Sequence, residues 1–159
     1  MNLTVVGTGY VGLVTGACFA EMGHRVTCVD IDENRIAGLE KGVIPFFEPG
    51  LDRLVLKNVE EDRLRFTTEL ATGMQDADVV FIAVQTPMSE SGEADLQYVM
   101  KVGEQIGDLL EDYKVVVTKS TVPAGTGKMI REIIDEHKVE DHPFSVASNP
   151  EFLREGSAI

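Results

Sequence analysis

Cysteine is scarce in this chain. Only Cys18 and Cys28 occur, with no Cys-x-x-Cys pair and no metal-ligand spacing. Both read as small buried residues, which gives no ground for a metal site and fits a reducing cytoplasm. Basic residues are also few, 14 against 27 acidic ones, for a net charge of −13. Nucleic acid is not expected as a partner on that balance, because a phosphate backbone needs a basic footprint. The surplus acid reads as a solvated surface. Long apolar runs are missing, so no membrane span is expected. The first strand is expected to begin at residue 2 or 3, which leaves no room for a signal peptide. The three histidines, His24, His137 and His142, fall in turns and loops without a partner that suggests a ligand or a dyad, and read as surface residues.

What is present is an ordinary globular composition, 43% hydrophobic and 26% charged over 159 residues, enough for one domain spanning 1–159 with a real core. Its organising stretch is the start. Leu3 to Val6 is a β-branched run that reads as a buried strand. It breaks into Gly7-Thr8-Gly9-Tyr10-Val11-Gly12, and a helical pattern follows from Tyr10 to Met22. In a Gly-x-Gly-x-x-Gly turn, Gly7 permits the tight turn, Gly9 lets a pyrophosphate approach the backbone, and Gly12 lets the helix pack close to the sheet. The helix N-terminus offers free N–H groups and a positive dipole end to the anion.

The motif alone is weak, so its context decides. A second strand, Arg25 to Val29, ends at Asp30, 18 residues after Gly12, where about 20 is usual for the acid that takes the ribose hydroxyls. That acid would repel a 2′-phosphate, so the cofactor reading is NAD rather than NADP. The alternative is a glycine-rich turn without a ligand. Asp32 is placed to cap the next helix, which ends near Gly42, with Arg35 one turn on, near the adenosine end of a dinucleotide or simply on the surface.

Val43 to Gly50, with two prolines and a glycine, is irregular, and Phe46 and Phe47 there need a cover, at the cofactor edge or on the sheet. A short helix is expected over Leu51–Asn58, a strand at Leu64–Thr67 and a helical turn over Thr68–Gly73. Ala77 to Val84 is a near-continuous apolar run, the mark of a strand buried on both faces of a parallel sheet. Met88 to Ala94 reads as a flexible polar loop, and Asp95 as the cap of a helix running to Leu110. A strand over Lys114–Thr118, a helix to His137 and a strand over Phe144–Ala147 complete the alternation. The fold class is α/β, a doubly wound, mostly parallel sheet with helices on both faces. Ligands in such sheets bind at the carboxyl ends of the strands. Three strand ends carry polar residues there: Thr86, Thr121, and the Glu151/Glu155 pair. The two glutamates share a face if their segment is helical, and one could act as a general base or hold a water, or both could be solvated acids at a helix start.

Taken together, Gly7–Leu13, Val29–Asp32, Glu48-Pro49-Gly50-Leu51, Gln85-Thr86-Pro87, the Lys119–Thr126 stretch and Asn149–Gly156 make the whole chain resemble the NAD-binding N-terminal domain of the UDP-glucose/GDP-mannose dehydrogenase family. The last two stretches are the most specific, and lean toward the UDP-glucose branch. The resemblance implies a Rossmann-like fold and an oxidoreductase that takes a sugar C6 alcohol to a carboxylate with two NAD⁺. A cysteine thiohemiacetal and thioester lie on the way, so that a reactive aldehyde stays captured.

By that resemblance Gly7, Gly9, Tyr10, Val11, Gly12, Asp30 and Arg35 serve the cofactor. Thr86, Thr121 and Glu155 line the nicotinamide side. Thr121, Glu151 and Glu155 are the candidate catalytic groups, Thr121 and Glu155 positioning or activating a water. Glu151, Phe152, Leu153, Arg154 and Glu155 border the UDP-sugar substrate. Phe47 stands where the family has a tyrosine, so any bond from that hydroxyl is lost. The family's central helix, lysine, asparagine, cysteine and UDP-holding domain lie beyond Ile159. The resemblance therefore implies a cofactor half, inactive alone, of a cytoplasmic enzyme that is a homodimer or larger homo-oligomer at full length. Another nucleotide sugar (GDP-mannose or UDP-N-acetylmannosamine), or a non-catalytic NAD-sensing module, remains the alternative.

Overall fold

The computed structural model describes residues 1–89, 92 and 94–159. Among these, strands and helices alternate: β1 (Asn2–Val6), α1 (Tyr10–Glu21), β2 (Arg25–Val29), α2 (Glu33–Leu39), α3 (Leu51–Glu60), β3 (Leu64–Thr67), α4 (Leu70–Met74), β4 (Val79–Ile82), α5 (Gln97–Asp108), β5 (Lys114–Thr118), α6 (Thr126–His137) and β6 (Phe144–Ser148). The six strands form one sheet in the order β3-β2-β1-β4-β5-β6, with every pairing parallel. The chain winds one way from β1 to β3 and the other from β4 to β6. The reversal between β1 and β4 opens a crevice at the carboxyl ends of the strands.

The run expected as a strand from Ala77 to Val84 pairs only from Val79 to Ile82. Asp78 instead ties the sheet at its amino edge, accepting from the Asn2 N–H at 2.8 Å. Past Ile82 the chain leaves the sheet to build the carboxyl edge. The loop expected over Met88–Ala94 includes residues 90, 91 and 93, which lie outside the described residues; its two ends meet in an antiparallel bridge between Met88 and Ala94. Asp95 accepts from the Gln97 N–H at 3.0 Å, one position before the helix cap expected of it, since Leu96 takes that place.

Two apolar layers cover the sheet. On one face Leu13, Val14 and Ala17 of α1, Leu39 of α2 and Leu51 and Val55 of α3 pack on Val5, Val26 and Cys28. On the other, Met74 of α4, Val99, Val102 and Ile106 of α5 and Ile130 and Ile134 of α6 pack on Val6, Val80, Ile82 and Val116. Alternating residues of one strand feed opposite layers, which is why the strands read as continuous apolar runs. Cys28 is fully buried against α1; a Cβ on Gly16 would lie 2.6 Å from its sulfur. Cys18 is only half-buried, a correction to the expectation for both thiols. Among the described residues no helix is long and apolar enough to cross a membrane.

Candidate functional site

β1 delivers the chain to Gly7, which turns with φ +103°, a conformation side-chain-bearing residues rarely adopt. Its N–H donates to the Val29 carbonyl at 2.7 Å, locking the turn against the end of β2. α1 begins three residues later with no side chain capping it and no acid in its first turn. Its first backbone bond is Leu13 N–H to the Gly9 carbonyl, 2.9 Å, so the amides of Tyr10, Val11 and Gly12 precede the helical ladder. The positive end of a 12-residue helix is left without a compensating negative charge from its own first turn.

The other two glycines differ in what they make room for. A Cβ on Gly9 would meet nothing within 4 Å, so the space above it is filled by no part of the chain. A Cβ on Gly12 would lie 1.9 Å from the Gly7 carbonyl oxygen and 3.3 Å from the Ala83 side chain. Close packing on the sheet is the expectation for the third glycine; the structure shows it seating the helix on the Gly7 turn first and on Ala83, just past β4, second.

Asp30, at the end of β2, is 9% exposed and heavily hydrogen-bonded. Its Oδ2 accepts from the Thr8 N–H at 2.8 Å, the Thr8 hydroxyl at 2.7 Å and an Arg35 guanidinium nitrogen at 3.1 Å. Its Oδ1 accepts from the Asp32 N–H at 3.1 Å, which leaves that oxygen the less crowded one. Burial pushes the carboxyl up, but the two Thr8 bonds, the Asp32 amide and the Arg35 charge together hold it below the usual carboxylate range. Thr8 is fully buried and escaped sequence reasoning, because it occupies a variable position of the glycine motif. Asp32 caps α2 as expected, accepting from the Arg35 N–H at 3.1 Å.

At the β4 and β5 ends, the Thr86 hydroxyl donates to the Thr121 carbonyl at 3.0 Å. The buried Ser120 hydroxyl donates to the Val84 carbonyl at 2.5 Å, and the Lys119 amine to the Asn149 side-chain oxygen at 3.2 Å. These bonds stitch three strand ends into one rim. Thr121 itself is exposed on that rim.

The segment after β6 is not helical. Glu151 and Glu155 accordingly do not share a helical face, because Pro150 and the Glu151 side chain impose a turn: its carboxylate accepts from the Leu153 N–H at 2.7 Å. Leu153 packs against the core beneath α1, whereas Phe152 is 93% exposed and Arg154 and Glu155 face solvent. Among the described residues no hydrogen bond or ion pair joins Thr121 to either glutamate.

What holds this segment is Glu48, which sequence reasoning gave no role. It is 4% exposed. One oxygen accepts from the Tyr10 hydroxyl and the Gly156 N–H, both at 2.7 Å, and the other from the Ala158 N–H at 2.8 Å. The Tyr10 bond does most to hold this carboxyl below the usual range, against an opposing contribution from burial and with help from the two amides. Tyr10 in turn is pushed up to about 12, by burial first and then by Glu48 and Glu155. The only hint in the sequence was an acid set among Ile44, Phe46, Phe47 and two prolines. Phe46 packs on Tyr10 with the rings inclined at 58° and their centroids 5.2 Å apart, while Phe47 is 86% exposed, so a hydroxyl there would point away from the described chain.

The model of the NAD binding domain of the UDP-glucose/GDP-mannose dehydrogenase family matches residues 1–159. This chain belongs to that family. UDP-glucose 6-dehydrogenase TuaD of Bacillus subtilis is 55% identical over 158 residues, 99% of this chain and 34% of the relative. UDP-glucose 6-dehydrogenase of Rhizobium meliloti is 54% identical over 160 residues, 100% of this chain and 36% of the relative. The chain thus spans about a third of the length of these curated relatives. Among solved structures, a UDP-glucose dehydrogenase from Pyrobaculum islandicum superposes with a TM-score of 0.94 at 39% identity, covering 98% of this chain and 37% of the other. A ternary complex of GDP-mannose dehydrogenase from Pseudomonas aeruginosa gives 0.95 at 35% identity, covering 99% and 38%. NAD is the cofactor of the family's domain, and the open space over Gly9, the uncapped start of α1 and the acid at Asp30 fit it.

Two clefts of about 360 Å³ lie toward the amino ends of the strands, one against Met74, Leu109 and Lys114, the other against Thr4, Arg25 and Arg65. Neither borders the glycine turn. The glycine turn, Asp30 and the Thr86–Thr121 rim lie instead at the carboxyl ends of the strands.

Proposed function

We propose that this chain is the NAD⁺-binding part of a nucleotide-sugar dehydrogenase that oxidises the C6 alcohol of UDP-glucose to UDP-glucuronate. The observation that carries the cofactor half of this reading is the Asp30 carboxylate, kept ionised by Thr8 and Arg35 beside the glycine turn. An ionised acid there accepts hydrogen bonds from a ribose diol and repels a 2′-phosphate. Support for the substrate comes from relatives more than half identical that are named UDP-glucose 6-dehydrogenases. Another nucleotide sugar is the second reading, favoured by the equally good superposition of the GDP-mannose enzyme.

In this assignment the amides that open α1 receive the diphosphate, and Asp30 and Arg35 the adenosine ribose. The rim of Thr86 and Thr121 takes the nicotinamide end, with Glu151 to Glu155 toward the sugar. NAD⁺, when bound, supplies a hydride acceptor. The residues here bind and orient it, and Thr121 and Glu155 hold or activate a water at the open edge. The covalent nucleophile belongs to a part outside this chain: Cys28 is enclosed between α1 and the sheet, its thiol pushed up to about 12 by burial, and Cys18 lies on the same helix core. The full-length protein is proposed to be a homo-oligomer acting on a UDP-sugar, without nucleic acid or membrane.

Calorimetry of NAD⁺ binding to wild type and Asp30→Ala tests the reading. Removing a charged acceptor of ribose hydroxyls should weaken binding by about tenfold or more. Equal affinities would remove the ribose from Asp30. Mixing the 159-residue chain with UDP-glucose and NAD⁺ should produce no NADH; turnover would put the nucleophile in this chain and overturn the assignment.

A further inference from the structure

We infer that Glu48 is a positioning residue of the dinucleotide site, binding the 151–158 segment and the first turn of α1 into one wall. This rests on the NAD⁺ reading above and adds a residue that the glycine motif and strand ends do not supply. Glu48 lies 38 residues from Tyr10 and more than 100 from Gly156 and Ala158 in sequence, yet it bonds all three. Tyr10 is the first residue of α1, so its side chain is fixed one bond from the amides that face the diphosphate. Gly156 and Ala158 directly follow the stretch assigned to the sugar side. The Tyr10 hydroxyl also approaches the Arg154 carbonyl, at 3.5 Å. One buried carboxylate thus relates the anion-binding helix end to Glu151 and Glu155.

The chemistry demands a carboxylate. Each oxygen accepts from a backbone N–H, Oε2 from Gly156 and Oε1 from Ala158. Glutamine has only one acceptor oxygen, so in either orientation its NH₂ would confront an amide N–H that also donates. Aspartate is one methylene shorter and cannot reach both amides from the same backbone position. Tyr10 supplies the third donor, and through it Glu48 reaches α1; losing that hydroxyl leaves both backbone bonds in place but parts the segment from the helix.

Such a wall links order in the segment to cofactor affinity, and the linkage is reciprocal. Hydrogen exchange and NAD⁺ calorimetry on the 159-residue chain read both sides. In wild type, saturating NAD⁺ should slow exchange at the Gly156 and Ala158 amides. In Glu48→Gln those amides should exchange about tenfold faster or more without cofactor, and NAD⁺ should bind about tenfold more weakly, the scale of a hydrogen bond to a charged group. Tyr10→Phe, which cuts the bond from Glu48 to α1 and spares the other two, should keep both amides protected without cofactor yet abolish the slowing of their exchange by NAD⁺, a split that general loss of packing would not produce. Wild-type amides indifferent to bound NAD⁺ overturn the inference even if Glu48→Gln does not fold. So does a Glu48→Gln chain with released amides and unchanged affinity. A wild-type chain that takes up no NAD⁺ overturns the dinucleotide reading itself, and the wall with it.

Discussion

Thr8→Val separates the acid's own charge from the device that maintains it. Valine keeps the shape of threonine and the backbone N–H bond to Asp30 at 2.8 Å, but removes the 2.7 Å hydroxyl bond and sets a methyl group against a buried carboxylate. A hydrogen bond to a charged group contributes about 1.5–3 kcal/mol. At roughly 2–4 °C per kcal/mol for a domain of this size, the melting temperature should fall by about 3–12 °C. The pH dependence has a definite sign. Asp30 titrates lower in the folded chain than in the unfolded one, so its contribution is present above the unfolded value of about 3.9 and is lost as pH falls through the lower folded value. With the hydroxyl gone, burial is less well opposed, the folded pKa rises, and the acid limb of the stability curve should move to higher pH. Urea denaturation from acid to neutral pH, in wild type, Thr8→Val, Asp30→Asn and the double variant, reads all of this. The double-variant cycle should return a coupling of about 1 kcal/mol or more. A Thr8→Val chain as stable as wild type with an unmoved acid limb, or additive single effects, would refute the reasoning.

Two further outcomes follow from the geometry. Gly9→Ala should fold with wild-type stability, since its Cβ meets no atom within 4 Å, yet bind NAD⁺ at least tenfold more weakly; Gly12→Ala, with a Cβ 1.9 Å from the Gly7 carbonyl, should lower the melting temperature as well, and calorimetry beside thermal unfolding distinguishes the two. A thiol reagent at pH 8 should label Cys18 slowly and Cys28 only on unfolding, because burial raises both thiols and pushes Cys28 to about 12; mass spectrometry showing rapid native labelling of Cys28 would contradict the packing of α1 on β2.

The sequence by itself determined the order of elements, the doubly wound class and the start of the cofactor site. Those rest on local patterns: a β-branched run into three glycines, a helix, a strand ending in an acid, apolar runs long enough for buried parallel strands. β2, β3 and β5 match their expected bounds for that reason. Only the tertiary structure decided that Thr8 holds Asp30, that the two glutamates after β6 lie in a turn rather than on a helix, and that Glu48 ties that segment to α1. Glu48 meets Gly156 and Ala158 through backbone amides, and an amide carries no side-chain signature to be read in a sequence. A contact of that kind exists only once the strands have brought both ends of the chain to one edge, because its partners are chosen by where the backbone passes and not by what residues it bears.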